Sequence, residues 1–150
     1  MREPELGSQA FWDRLLSSPE RLAAEVCFVD VVNLDQTLQH HAALHAWVAA
    51  AHEVARIEEE QAKWNVTRTQ AEALLTAREE PDPGTGKAKV VDVMKAQAET
   101  APEVQEAVAA LLKIGRKRAA LRAMDRALED RKDMLVQLSA RQRREQDSYR

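Results

Sequence analysis

Apolar residues recur at alternating spacings of three and four along two long stretches of the chain. In the later stretch Arg131 fills the one gap in the series Leu121, Met124, Leu128, Leu135 and Leu138. The earlier stretch repeats the spacing at Leu44, Trp47, Val48, Ala51, Val54 and Ala55. Such spacing lines up apolar side chains on one face of a helix, as in a coiled-coil seam. The pattern predicts two long helices, each with one apolar stripe.

The first long helix is predicted over about residues 33–80, because neither Gly nor Pro occurs there. Asn33 or Asp35 is positioned to cap its first turn. Residues 81–86 then contain two prolines and two glycines. Proline lacks the N–H that a continuing helix needs, so this segment is predicted to be a loop.

A short connecting helix over about residues 89–98 and a second long helix over about 101–147 are predicted after the loop. Thr100 and Glu103 have the spacing of a capping box at the start of the second long helix. Gly115 is the one glycine inside it. Glycine costs about 1 kcal/mol relative to alanine in a helix, and it would permit close approach of another backbone.

A short N-terminal helix is predicted over about residues 19–30, because Ser18 and Pro19 form a helix-start signal. Its apolar residues lie three and four apart and form a narrow stripe that includes Cys27. The sequence near Cys27 has no basic residue that would lower the thiol pKa. We therefore interpret Cys27 as a small buried hydrophobic residue.

The composition favours an all-α fold, since aromatic residues make up only 4% of the 150 residues. We expect one domain, in which the two long helices form an antiparallel, coiled-coil-like hairpin with short N-terminal and connecting helices. A lone helix pair buries too little apolar area to offset the entropy of ordering so many residues. The pattern therefore predicts a homo-oligomer.

The net charge of −3 is distributed unevenly along the chain. Residues 1–60 hold 4 Lys and Arg against 11 Asp and Glu, whereas residues 101–150 hold 12 against 8. The two ends are therefore expected to attract each other, within one chain or between subunits. The most apolar window, Ala42–Ala51, is too short to cross a bilayer, and no secretory signal is recognisable. We expect a cytoplasmic protein without a membrane span.

His41 and His45 have the i, i+4 spacing of many metal sites, and His52 lies further along the same helix. A zinc-protease motif requires Glu after the first His, but position 42 is Ala. No carboxylate stands at a ligand position beside the pair, and a polar stripe at an interface is the alternative. No nucleophile and base set is recognisable. The sequence thus predicts no metal, no cofactor and no enzymatic activity.

A basic and aromatic stripe on the first long helix is a candidate nucleic-acid surface. It consists of Arg56, Lys63, Trp64 and Arg68. Single-stranded nucleic acid is bound by cations that neutralise phosphates and by aromatic rings on which bases stack. Other interpretations remain open. The ring of Trp64 would equally pack against the partner helix, and the acidic residues at positions 58–60 would weaken the positive electrostatic potential of the stripe.

The second long helix carries a denser basic region. Its members are Lys113, Arg116, Lys117, Arg118, Arg122 and Arg126. The last three repeat every four residues and therefore share one helical face. This region is either a second contact for nucleic acid or a solvated charged face.

The order of these parts resembles the UvsY-like recombination mediator family of T4-type phages. The resemblance rests on Arg56-Ile57-Glu58, a mixed basic stretch ending in Arg68, a glycine-containing loop, Val90–Lys95 and a long C-terminal helix. The segment from Leu128 to Glu145 is also similar to small phage proteins encoded near recombination genes. The resemblance covers roughly residues 33–145.

The resemblance implies a ring-like oligomer that binds single-stranded DNA and helps a RecA-like recombinase to replace single-strand-binding protein. The family's DNA contact carries over onto Lys63 and Arg68, whereas Val66 stands where a basic residue is expected. A phage-encoded protein of this kind would act in the bacterial host cytoplasm. The alternative is a non-enzymatic structural or assembly protein, such as a virion scaffold or a coiled-coil adaptor.

Overall fold

The fold is all-α, as the sequence predicts. The computed structural model describes residues 6–29, 32–81, 84 and 89–148, and these form five helices. The long helices α3 and α5 pack against each other, with short N-terminal and connecting helices. The helices are α1 (Gln9–Ser17), α2 (Pro19–Val26), α3 (Leu34–Glu79), α4 (Val91–Thr100) and α5 (Pro102–Ser148).

The N-terminal helices differ from the predicted single helix over about 19–30. Helix α1 was not predicted; the Oγ of Ser8 caps it by accepting a hydrogen bond from the N–H of Phe11 at 3.2 Å. Ser18 stands at the N-cap position of α2, but its side chain makes no capping bond. Helix α2 ends at Val26, and Asp30 lies outside the described residues.

The long helices begin and end within two residues of the predicted positions. The predicted capping box at the start of α5 is wrong. Thr100 is the last residue of α4, and its Oγ1 donates to the carbonyl oxygens of Ala96 and Gln97, each at 3.0 Å. Of the predicted loop over residues 81–86, only Pro81 and Gly84 are described, and the other positions lie outside the described residues.

Residue contacts group the chain into two compact units, to both of which α3 and α5 contribute. The first unit comprises Met1–Val54 and Lys117–Arg150, and the second comprises Ala55–Arg116. The first unit contains both an acidic N-terminal segment and a basic C-terminal one. The interpretation of the chain as one domain stays a prediction.

The core of the first unit contains large apolar side chains from all four of its helical segments. Those that are fully buried are Phe11, Leu15, Leu22, Leu44, Val48, Leu121, Met124, Leu128 and Leu135. Arg131, which fills the gap in the α5 series, is only 4% exposed. The seam predicted for α5 is therefore buried from Leu121 to Leu135, whereas Leu138 is only half-buried. Helices α1 and α2 add to this apolar core. Val54, which was predicted to share the α3 seam, is instead half exposed.

The core of the second unit consists of small side chains. Ala73, Ala98 and Val104 form a buried cluster, with Ala101 and Val108 packed against it. Larger apolar residues of this unit lie on the surface instead; they include Ile57, Trp64, Leu75, Val93 and Leu112. Since stabilisation scales with buried apolar area, this core contributes less per residue than that of the first unit.

Gly115 lies in α5 without another backbone close to it. A Cβ built at this position has no neighbouring atom within 4 Å, so the expected close approach is wrong. Among the described helices, none is long and apolar enough to cross a membrane.

Candidate nucleic-acid interface

The candidate α3 surface is defined by Arg56, Lys63, Trp64 and Arg68, all of which lie in the second unit. Trp64 is 67% exposed, so the alternative in which its ring packs against the partner helix of its own chain is wrong. The guanidinium carbon of Arg68 lies 5.5 Å from the centre of the Trp64 ring. This distance is within the range of a cation–π contact. The contact holds one cation beside an exposed aromatic ring.

Each cation of the α3 surface also has an acidic partner one helical turn away. The distances are 2.5 Å from Arg56 to Glu60, 2.6 Å from Lys63 to Glu59 and 3.9 Å from Arg68 to Glu72. Arg68 additionally donates a hydrogen bond to the Oδ1 of Asn65 at 3.0 Å. The acidic residues therefore compensate the positive charge of this surface. Glu59 and Glu60 were expected to do so from the sequence, whereas Glu72 was not.

The basic residues of α5 divide between the two units. Lys113 and Arg116 are exposed in the second unit and form no ion pair with a described residue. Arg122 and Arg126 are exposed and equally free of such pairs in the first unit. Four of the six predicted basic residues of α5 are thus accessible to an anionic ligand.

Lys117 has a different environment from its neighbours in α5. Its Nζ lies 4.8 Å from the centre of the Trp12 ring in α1. That ring belongs to an aromatic cluster with Phe11 and Trp47, whose ring centres lie 5.1 Å apart. The cluster joins α1 to α3, and sequence reasoning missed it. The spacing of Phe11, Trp12 and Leu15 indicates a helix at this position, but no local pattern reveals its contact with Trp47.

The histidine pair of α3 lies at the contact with α5. His41 is 6% exposed, and its ring stacks on that of His45 with centres 5.9 Å apart. The Nε2 of His45 lies 3.2 Å from the Oδ1 of Asp125, a carboxylate that sequence spacing did not reveal. No group of three metal-ligating side chains occurs among the residues that the structure describes.

Burial is the main cause that lowers the pKa of His41 from its usual value, and the positive charge of Arg131 adds to it. Smaller contributions come from His45 and Lys132. Neither ring nitrogen of His41 has a hydrogen-bond partner among the described residues. A neutral imidazole is therefore favoured at this position.

Cys27 lies in the first unit with its Sγ 3.6 Å from the carbonyl oxygen of Ala127. Burial raises the pKa of its thiol, and the nearby Arg131 opposes this change to a smaller extent. The expectation that no basic residue lies near Cys27 is wrong, because α5 brings Arg131 to it. The net effect still favours a protonated thiol, which is a poor nucleophile.

In comparisons with family models, with curated proteins and with solved structures, no match to the chain was found.

Proposed function

We propose that this protein is a non-enzymatic recombination mediator that binds single-stranded DNA and assists the loading of a RecA-like recombinase. The observation that carries the proposal is the exposed ring of Trp64 with the guanidinium of Arg68 beside it. An exposed aromatic ring offers a stacking surface to any base, and an adjacent cation pairs with the phosphate. This combination binds single strands without reading their sequence.

The proposal includes an antiparallel, coiled-coil-like pairing of α3 and α5 within a homo-oligomer. The small side chains in the core of the second unit support it, because such a core leaves larger apolar residues exposed. Val93 of α4 and Leu112 of α5 are two such residues, and each is more than half exposed. Burial of these two side chains in an assembly would add apolar area.

Fluorescence anisotropy with single-stranded and double-stranded oligonucleotides tests the DNA-binding part. We expect preferential, salt-sensitive binding to single strands. Trp64→Ala should weaken it at least about fivefold, because stacking contributes about 1–3 kcal/mol per base. Replacing both Lys63 and Arg68 by Ala should reduce the salt slope by about 0.7 for each phosphate that the variant no longer neutralises.

The matched control is Arg141→Ala, which removes one exposed cation that pairs with Glu145 four residues later. Arg141 lies in the first unit, whereas the α3 surface lies in the second. Its removal should leave the affinity within about twofold of the parent. Absence of binding at low salt, or equal weakening in the control and the α3 variants, would contradict the proposal.

The mediator role requires a second assay, in which single-stranded DNA is coated with single-strand-binding protein before a RecA-like recombinase is added. We expect the protein to shorten the lag before the recombinase loads. The onset of strand exchange measures this lag. Trp64→Ala should lengthen that lag again at equal protein concentration. DNA binding without any effect on recombinase loading would show that the protein binds DNA but is not a mediator.

The second candidate is a structural or assembly protein, and the compensated charge of the α3 surface favours it. In this case a protein helix rather than DNA binds the face of α3 that carries Ile57, Trp64 and Leu75, which are separated by about two and three helical turns. Replacing Ile57 and Leu75 by Ser should then dissociate the assembly in light scattering, with helicity retained. Self-association with no measurable preference for nucleic acid would support this candidate over the mediator.

A further inference from the structure

Each cation of the α3 surface has a glutamate partner one helical turn away. Glu60 pairs with Arg56, Glu59 pairs with Lys63, and Glu72 stands 3.9 Å from Arg68. In every case the two partners lie four residues apart on one helix, so the backbone itself keeps them together. The side chain of Glu59 is largely buried, whereas that of Lys63 is more than half exposed. Lys63 is thus held by an acid that is turned towards the protein.

The charges of this stretch nearly cancel. Between residues 56 and 72 there are 3 Lys and Arg against 4 Asp and Glu. A polyanion approaching this surface therefore meets little attraction until it is close. The contrast with Lys113 and Arg116 in the same unit is clear, since neither has an acidic partner among the described residues.

We infer that Glu59, Glu60 and Glu72 act as internal competitors for the phosphate groups of single-stranded DNA. This inference rests on the proposed function. A phosphate that binds Lys63 or Arg68 must displace or share the carboxylate that already contacts it. Exposed ion pairs such as Arg56–Glu60 and Arg68–Glu72 are individually weak, so a phosphate is able to replace them. The glutamates reduce the affinity without closing the site.

The consequence for a mediator is a surface from which DNA is released readily. Stacking on Trp64 remains available while the electrostatic contribution is diminished, so the bound strand is held mainly by short-range contact. When DNA leaves, the glutamate carboxylates contact the cations again and compensate their charge. The strand is then free for transfer to a recombinase.

Glutamate-to-glutamine substitutions test this inference, since glutamine keeps the length and helix propensity of glutamate but removes its charge. Anisotropy with a single-stranded oligonucleotide is measured across a salt series for Glu59→Gln, Glu60→Gln, Glu72→Gln and the triple variant. Each single variant should bind roughly two- to fivefold more tightly at low salt. The salt slope should steepen by up to about 0.7 for each cation released.

Glu145→Gln is the matched control, because it frees Arg141 from an equivalent pair at 2.9 Å in the first unit. Its affinity should stay within about twofold of the parent. An equal gain in this control would overturn the inference, because it would show an effect of net charge alone. Replacing Arg56, Lys63 and Arg68 by Ala in the triple variant should abolish the gain, because the cations that the glutamates occupy are then absent. A gain that persists would also overturn the inference.

The failures of the two proposals are distinguishable. If the parent binds single strands through Lys63 and Arg68 but the glutamine variants bind equally well, the inference is overturned and the DNA-binding proposal stands. If the parent does not bind at low salt but the triple variant does, the DNA-binding proposal is overturned, and so is the inference that the glutamates lower the affinity without closing the site. If neither binds at low salt, both proposals are overturned. Circular dichroism of every variant checks that the helices are retained.

Discussion

The guanidinium group of Arg131 in α5 donates a hydrogen bond to the carbonyl oxygen of Phe28, just after α2, at 2.8 Å. This contact joins residues 103 positions apart in the sequence. Arg131 is almost fully buried, and its charge influences both His41 and Cys27. One arginine therefore connects three elements of the first unit.

Arg131→Ala should lower the free energy of unfolding by about 2–3 kcal/mol, because it leaves a cavity and removes the donor to Phe28. Arg131→Met should lower it by less than about 1 kcal/mol, since an apolar side chain of similar length completes the seam. Urea denaturation followed by circular dichroism measures both. Equal destabilisation in the two variants would show that the hydrogen bond, rather than packing, dominates.

His41 should make the protein less stable in mild acid. Its pKa in the folded state is lowered from 6.5, so the unfolded state binds a proton first as the pH falls. The stability present above that unfolded value is therefore lost as the pH decreases from about 7 towards the lowered folded pKa. Urea denaturation at a series of pH values measures this effect.

His41→Leu should flatten the dependence on pH, because leucine suits an apolar seam and does not titrate. His40→Gln is the matched control at the neighbouring exposed position and should keep the destabilisation in acid. An unchanged pH profile in His41→Leu would assign the acid sensitivity to other groups. Arg131→Met should also raise the pKa of His41, which nuclear magnetic resonance titration would detect.

Two glycines should respond in opposite ways to alanine. Gly115→Ala should raise the free energy of unfolding by about 1 kcal/mol, since alanine favours the helix and its Cβ meets open space. Gly7 has φ of 81°, a backbone conformation that L residues rarely adopt, so Gly7→Ala should destabilise by roughly 1 kcal/mol. Thermal denaturation compares both with the parent. A gain in both variants would contradict the strain argument at Gly7.

Lys89 should hold the start of α4 in place. Its Nζ lies 3.0 Å from the carboxylate of Glu80 and 2.7 Å from the Oε1 of Gln97. Lys89→Met should therefore accelerate hydrogen exchange of the α4 amides, because it removes both contacts and keeps the side-chain length. Lys95→Met, at an exposed lysine of α4, is the control and should leave exchange unchanged.

The pKa of Glu80 reports on the same contacts. A hydrogen bond from Gln97 lowers it most, followed by the hydrogen bond and charge of Lys89. Since the folded pKa is depressed, the stabilising contribution is present above the unfolded value of 4.5 and is lost as the pH falls through the folded value. In Lys89→Met the pKa of Glu80 should move back towards 4.5 in a nuclear magnetic resonance titration.

The sequence predicted which residues belong to the α3 surface, but not how exposed they are. Helical spacing placed Arg56, Lys63, Trp64 and Arg68 on one side of α3, and nearby glutamates were evident. The sequence did not decide whether Trp64 packs inside or faces water, because either position is compatible with its spacing. Nor did it reveal that Lys117 lies over Trp12, since that contact depends on how α1 folds back.

What the sequence determined was the position and length of the two long helices. Helix formation depends on local spacing and on the absence of Pro from the helix interior, which is information carried by neighbouring residues. Tertiary structure decided which side chains are buried: Val54 and Trp64 lie exposed, whereas Arg131 and His41 are covered. Burial depends on contacts between residues far apart in the chain, and no local pattern specifies which helices cover a given face.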